Sequence, residues 1–125
     1  MPKQILIVED ERGVAVAIQF LMEQQGHDVL VAERGEDALE LIYKYKPDLV
    51  LLDIMLPGIS GWEVCEIIRL DPDYRNVKIV FLTARKSEIE IARGLALGAD
   101  AYITKPFSNA ELIAKVKELL ENTHE

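Results

Sequence analysis

Cysteine is nearly absent from this chain: Cys65 is the one thiol among 125 residues, so no internal disulfide can form and the fold must rest on its hydrophobic core. A lone thiol fits a reducing cytoplasm, and on a helix it reads as a small apolar packer. Histidine is scarce as well. His27 and His124 stand far apart, which argues against zinc or a histidine-based site. No apolar run approaches the length of a membrane span. The first of them, Ile5 to Val8, is too short for a secretory leader and is followed at once by Glu9, Asp10 and Glu11. Basic charge is in short supply too: 14 Lys and Arg against 22 Asp and Glu leave a net charge of −8, the wrong sign for a surface that neutralises nucleic-acid phosphates. Direct binding to nucleic acid or membrane is therefore not expected. With no repeat, linker or low-complexity segment, a single domain over residues 1–125 is expected, and it carries no DNA-binding domain.

What the chain has is alternation. Ile5–Val8 has the length of a strand, and Val14, Ala17, Ile18, Leu21 and Met22 then recur at helical spacing until Gly26 stops the helix. Val29–Ala32 is a second strand, and a helix from about Gly35 to Tyr45 ends before Pro47. Leu49, Val50, Leu51 and Leu52 form a continuous apolar run, the mark of a strand buried on both faces of a parallel sheet, and it delivers one carboxylate, Asp53, to its end. Ser60 with Glu63, Ser87 with Glu90 and Ser108 with Glu111 are capping boxes that start three further helices. The first has Val64, Ile67 and Ile68 on its inner face, and Gly98 ends the second. Between these helices lie strands at Lys78–Leu82 and Ala101–Thr104.

Five strand–helix repeats predict a doubly wound five-stranded parallel sheet with helices on both faces. The order 2-1-3-4-5 is adopted because it sets strand one beside strand three. Glu9, Asp10 and Asp53 then converge at one edge of the sheet. Three carboxylates in one cleft repel, each close pair by about 1–4 kcal/mol at 4 Å in water-like to surface-like dielectric. A divalent cation held by carboxylates, a carbonyl and waters would compensate, as magnesium does. The other reading is that Glu9 and Asp10 favour the N-terminus of the first helix, and that Asp53 is a cap or turn carboxylate. Thr83 and Lys105 end strands four and five at the same edge, where a hydroxyl and an ammonium suit a phosphoryl group. Singly, Thr83 also reads as a strand residue and Lys105 as a solvated charge. The Lys105–Pro106 bond is a candidate cis peptide.

The acidic pair Glu9-Asp10, the DIMLPGISG segment with Asp53, LTAR with Thr83, and GADAYITKPF with Tyr102, Lys105 and Pro106 together resemble the receiver domain of a two-component response regulator. The resemblance covers essentially the whole chain and its motifs lie nearest to receivers of the winged-helix transcription-factor class. It implies that Asp53 accepts a phosphoryl group from a phosphohistidine of a histidine kinase or phosphotransfer protein. It implies Mg²⁺, with Mn²⁺ as a substitute, on Asp10, Asp53 and the backbone carbonyl of Met55, with Glu9 acting largely through water. Thr83 and Tyr102 are implied as the switch pair, and Lys105 as the partner of the phosphoryl oxygens. The implied protein is a signalling switch, not a metabolic enzyme, whose surface around helix four and strand five acts on a downstream protein partner or effector domain, with a phosphorylation-dependent homodimer as one form.

Some residues depart from that pattern. Glu9 stands where many receivers have aspartate. Ile89 and Ile91 replace charges common in the winged-helix class, and Ala101 replaces an acidic residue before Tyr102. These four residues, Ile89, Ile91, Ala101 and Tyr102, are the candidate partner surface, while core packing explains the isoleucines equally well. Trp62 reads as packing under the loop that follows Asp53, and Met55 and Arg85 flank the site. A flavin carrier of the same fold is disfavoured, because Glu9-Asp10-Glu11 would repel a phosphate lacking a metal. An aspartyl-phosphate hydrolase would need a second aspartate close behind its nucleophile after the first strand. A receiver-like module that is never phosphorylated fits poorly with so complete a site.

Overall fold

Every apolar run becomes a strand. The computed structural model describes residues 3–84 and 88–121. Its elements are β1 (Gln4–Val8), α1 (Arg12–Gln24), β2 (Asp28–Ala32), α2 (Gly35–Tyr45), β3 (Leu49–Asp53), α3 (Gly61–Arg69), a 3₁₀ turn (Pro72–Tyr74), β4 (Lys78–Thr83), α4 (Glu88–Ala96), β5 (Ala101–Thr104) and α5 (Asn109–Glu121). All strand pairs are parallel, in the order β2-β1-β3-β4-β5. The doubly wound five-stranded sheet and the order 2-1-3-4-5 are therefore as expected.

The alternation of side chains along each strand divides the core in two. Ile5, Ile7, Leu49, Leu51, Val80, Leu82 and Ile103 face α1 and α5, meeting Ile18, Met22, Leu112 and Val116. Leu6, Val8, Val50, Leu52, Ile79 and Phe81 face the other layer, meeting Ala38, Ile42, Val64, Cys65 and Ile68. Leu49 to Leu52 are all 0% exposed, so removing them from water contributes about 1.5–3 kcal/mol per side chain. That burial on both faces fixes the position of Asp53 at the strand end.

Two helices turn differently from their sequence patterns. On α3 the buried stripe is Val64, Cys65 and Ile68, while Ile67 is 37% exposed. The thiol takes its place because Cys65 points at the residue that follows α4, with Sγ 3.7 Å from the Leu97 carbonyl oxygen. On α1, Ala15 is buried and Ala17 is exposed. The Ser60 capping box is complete, with Glu63 N–H donating to Ser60 Oγ (3.2 Å) and Ser60 N–H to Glu63 Oε1 (3.0 Å). Glu111 N–H donates to Ser108 Oγ at 3.0 Å. Ser87 and Arg85 lie outside the described residues.

Candidate functional site

The strand order brings the ends of β1 and β3 together, and with them the carboxylates. Glu9, Asp10 and Asp53 each offer an oxygen within 4.8 Å of the others. Glu9 is fully buried and Asp53 is 6% exposed, whereas Asp10 is exposed. The Lys105–Pro106 peptide bond is cis. Lys105 Nζ lies 2.7 Å from Glu9 Oε1 and 3.4 Å from Asp53 Oδ2. The other oxygen of Glu9 accepts from Glu11 N–H at 3.1 Å. The longer arm of glutamate thus reaches directly to the lysine, a contact that the sequence pattern did not reveal.

Asp53 Oδ1 accepts from Met55 N–H at 3.1 Å. Burial first, and then the neighbouring Glu9 carboxylate, raise the Asp53 pKa from 3.8 to about 6, against the opposing pull of Lys105 and the Met55 amide. Burial opposes the charge on Lys105, but its contacts with Glu9 and Asp53 outweigh that and hold the ammonium above its ordinary range. Among the described residues one ammonium faces three carboxylates, and this oxygen-only donor set suits a hard divalent cation.

Thr83 ends β4 beside Asp53, is 4% exposed, and its carbonyl accepts from Lys105 N–H at 2.7 Å. Tyr102, on β5, is paired in register with Phe81 and is 39% exposed, so it faces outward. The candidate partner surface divides. Ile89 is 81% exposed, while Ile91 is half-buried and lines a cavity with Thr83, Phe81 and Tyr102. Ala101 is 9% exposed and packs into the α1–α5 side of the core, where it opens β5 opposite Val80, and it also borders that cavity. Leu95, 46% exposed, lies with them on the same cavity.

The loop after Asp53 is closed on itself. Gly61 N–H donates to the Ile54 carbonyl at 3.0 Å, and a Cβ at Gly61 would run into the Asp53 carbonyl and the Ile54 backbone. The middle of the loop rests on α2, where Glu36 Oε1 accepts from Ile59 N–H at 3.4 Å and its carboxylate lies against Gly58, whose φ is +75°. Sequence reasoning missed Glu36, since a carboxylate in the first turn of a helix is already explained by the helix dipole. Trp62 does pack beneath this region, edge-on to Phe81 at 5.1 Å, and it also carries the Arg93 guanidinium 4.9 Å above its ring.

Comparison with known proteins decides the family. The family described as the response regulator receiver domain matches residues 5–117. The chain belongs to that family. Among solved structures it is similar to a protein described as a response regulator from Chloroflexus aurantiacus J-10-fl, at 36% identity and a TM-score of 0.92, over 98% of this chain and 100% of that one. It is also similar to the BeF3-activated N-terminal receiver domain of RstA from Klebsiella pneumoniae (38% identity, TM-score 0.88, 95% and 99% covered). A third is the receiver domain of the sensor histidine kinase PA1611 from Pseudomonas aeruginosa PAO1, whose active-site cleft holds magnesium (27% identity, TM-score 0.89, 98% and 100% covered). Receiver domains of two-component systems are signalling switches that bind Mg²⁺ in their active site. In this receiver domain the acidic cluster of buried Glu9 and Asp53 and exposed Asp10 is in place for such an ion. Among the described residues no helix is long and apolar enough to cross a membrane.

Proposed function

We propose that residues 1–125 act as a phosphorylation-activated receiver in the cytoplasm, with Asp53 as the acceptor. The observation that carries this reading is the convergence of Glu9, Asp10 and Asp53 at the carboxyl edge of the sheet, with Lys105 paired to Glu9 and Asp53. A pKa near 6 leaves Asp53 ionised at neutral pH, so a carboxylate oxygen is available as nucleophile. It attacks the phosphorus of a phosphohistidine on a histidine kinase or phosphotransfer protein. The new O–P bond forms as the P–N bond breaks, and the electron pair of that bond returns to the imidazole.

Asp10, Asp53 and the Met55 carbonyl would hold Mg²⁺, or Mn²⁺ in its place, with Glu9 behind them. The bound ion supplies charge neutralisation for the phosphoryl oxygens. The Met55 N–H, donating at 3.1 Å, orients the Asp53 carboxylate. Lys105 turns from Glu9 and Asp53 toward the new phosphoryl oxygens, and the Thr83 hydroxyl donates to them. Tyr102 then rotates inward behind Thr83, shifting the population of the face that carries Ile89, Leu95 and Tyr102. That apolar face acts on a downstream protein partner or effector domain, or on a second copy of the chain. The protein's chemistry is its own phosphorylation and slow dephosphorylation, in the service of a switch.

The test is incubation with acetyl phosphate and Mg²⁺, followed by mass spectrometry of the intact chain and of Asp53→Asn. The wild type should gain one phosphoryl group, and chelation of the metal should abolish the gain. A phosphoryl group that appears undiminished on Asp53→Asn would overturn the assignment of the acceptor.

A further inference from the structure

The ring that runs from Ile54 to Gly61 is joined at both ends to rigid parts. The Ile54 carbonyl accepts from Leu56 N–H at 3.2 Å and from Gly61 N–H at 3.0 Å. Gly61 opens α3, which is fixed at its start by the Ser60 capping box and at its end by Arg69. Arg69 donates from Nε to the Gly98 carbonyl at 2.7 Å and from Nη2 to Asp100 Oδ2 at 2.8 Å, and its Nη1 lies 3.5 Å from the Tyr74 carbonyl. Leu56 and Ile59 pack, partly buried, against the α2–α3 layer of the core. Between them the chain bends at Pro57 and Gly58.

That bend meets the first turn of α2. Gly35 opens α2 so close to the loop that an added Cβ would run into the Ile59 carbonyl, and the Glu36 carboxylate fills the space where a Cβ at Gly58 would stand. Glu36 Oε1 accepts from Ile59 N–H at 3.4 Å, while its Oε2 lies 3.5 Å from Arg34 Nη2. The amide of Glu36 itself first, then the Ile59 amide and Arg34, outweigh partial desolvation and hold this carboxyl below its ordinary 4.5. It is therefore a carboxylate throughout the neutral range. α2 is a firm base for it, since Ala38 and Ile42 are both 0% exposed. The loop thus has a polar support that comes from outside the strand and the helix it connects.

Met55 lies on the same ring, between the bend and Asp53, whose Oδ1 accepts the Met55 N–H at 3.1 Å. A loop joined at both ends has little slack, so a shift at Gly58 and Ile59 is passed along to Met55. Magnesium tolerates little error in the placing of its oxygens, because it is small and demands a near-octahedral shell. We infer that Glu36 is a positioning residue for the cation site: by holding Gly58 and Ile59 against α2 it sets the place of the Met55 carbonyl relative to Asp53, and with it the affinity for the ion. The inference rests on the reading above that this carbonyl is a cation ligand. Glu36 acts through the loop and not on the ion.

Manganese binding to the full chain, read from the electron paramagnetic resonance signal of the free ion, tests this. Glu36→Ala should raise the Kd for Mn²⁺ by about five- to tenfold, at the low end of what the support of a metal ligand contributes. Glu36→Gln keeps an oxygen for Ile59 N–H and drops only an exposed, screened charge, so it should stay within about twofold of the wild type. Alanine and glutamine both favour a helix, so α2 persists in either variant. Phosphorylation by acetyl phosphate should show the same split. In Glu36→Ala the Mg²⁺ concentration that gives half the maximal rate should rise with the Kd, while the rate at saturating Mg²⁺ matches the wild type. A Kd for Glu36→Ala within about twofold of the wild type would overturn the positioning role. So would a Glu36→Gln that binds as weakly as Glu36→Ala, because the effect would then belong to charge. Mn²⁺ binding that survives Asp53→Asn at full strength would overturn the cation site and the inference with it. Binding lost in Asp53→Asn but unchanged in Glu36→Ala would overturn the role of Glu36 alone.

Discussion

α3 and α4 are both nine residues long and lie on the same side of the sheet, yet they are built in opposite ways. α3 buries Gly61, Val64, Cys65 and Ile68, begins with a complete capping box, and is tied to the end of β3 through Gly61, whose N–H donates to the Ile54 carbonyl. α4 buries Gly94 alone and exposes Ile89 and Leu95. The contrast separates two tasks. The helix that follows Asp53 is anchored at its start to the backbone of the strand end, whereas the helix that follows Thr83 has little apolar burial to hold it. Low local stability comes from scarce apolar burial, and a switch element needs it.

The comparison is tested most strongly in α3. Ile68→Ala removes a fully buried side chain facing Ile42 and Cys65's layer of the core and should cost about 3–4 kcal/mol in urea unfolding. A cost near zero would mean that α3 is no better anchored than α4.

An intermediate effect is expected at Asp53, the proposed acceptor at the end of β3. Its folded pKa of about 6 lies above the ordinary 3.8, so the folded protein binds the proton more tightly than the unfolded chain does. Stability therefore falls as pH rises from about 4 to about 6, and the full penalty persists above that. Without divalent cation at neutral pH, Asp53→Asn should be more stable than the wild type by about 1–3 kcal/mol, a value kept below the full shift because the variant also removes a partner of Lys105. The difference should shrink toward zero near pH 4, and added Mg²⁺ should narrow it from the wild-type side. Thermal melts of both proteins from pH 4 to 8 check this, and a wild type that gains stability across that window relative to the variant would contradict it.

The smallest effect belongs to α4. Ile89→Glu should alter stability by no more than about 0.5 kcal/mol, while weakening a partner contact or phosphorylation-dependent self-association measured by light scattering. The same substitution at Ile91 is a poorer test, because Ile91 lines the cavity beside Thr83.

The strand runs, the parallel order and the residues at each strand end were legible because they are local facts: four leucines and valines in a row have few other uses, and Asp53, Thr83 and Lys105 each stop a run. What was not legible depends on neighbours from distant parts of the chain. Ile67 and Cys65 are both plausible inner residues of a short helix, and only the position of Leu97 decides between them. Ile89 and Ile91 differ by two residues and so point to different sides of α4, but no periodicity in nine residues says which side is covered. Ala101 was counted as surface by analogy with an acidic position, although its small size is what lets it pack against the α1–α5 layer. Arg69 offered no signal at all, since one arginine in the last turn of a helix is ordinary, and its three acceptors come from two other segments, the 3₁₀ turn and the stretch between α4 and β5.

The ring closed between Ile54 and Gly61 has a consequence for the chain's freedom to vary. Its ends are joined by a hydrogen bond, α3 begins in contact with the backbone of Asp53, and α2 supports the far side through Glu36. An inserted residue cannot be absorbed as slack here, because both ends of the ring are already fixed and the added length would have to bulge into solvent or pry α3 from the sheet. A designer who wished to graft this chemistry onto another parallel sheet would have to carry residues 53–63 as one rigid part, together with a glycine-led helix like α2 to hold it.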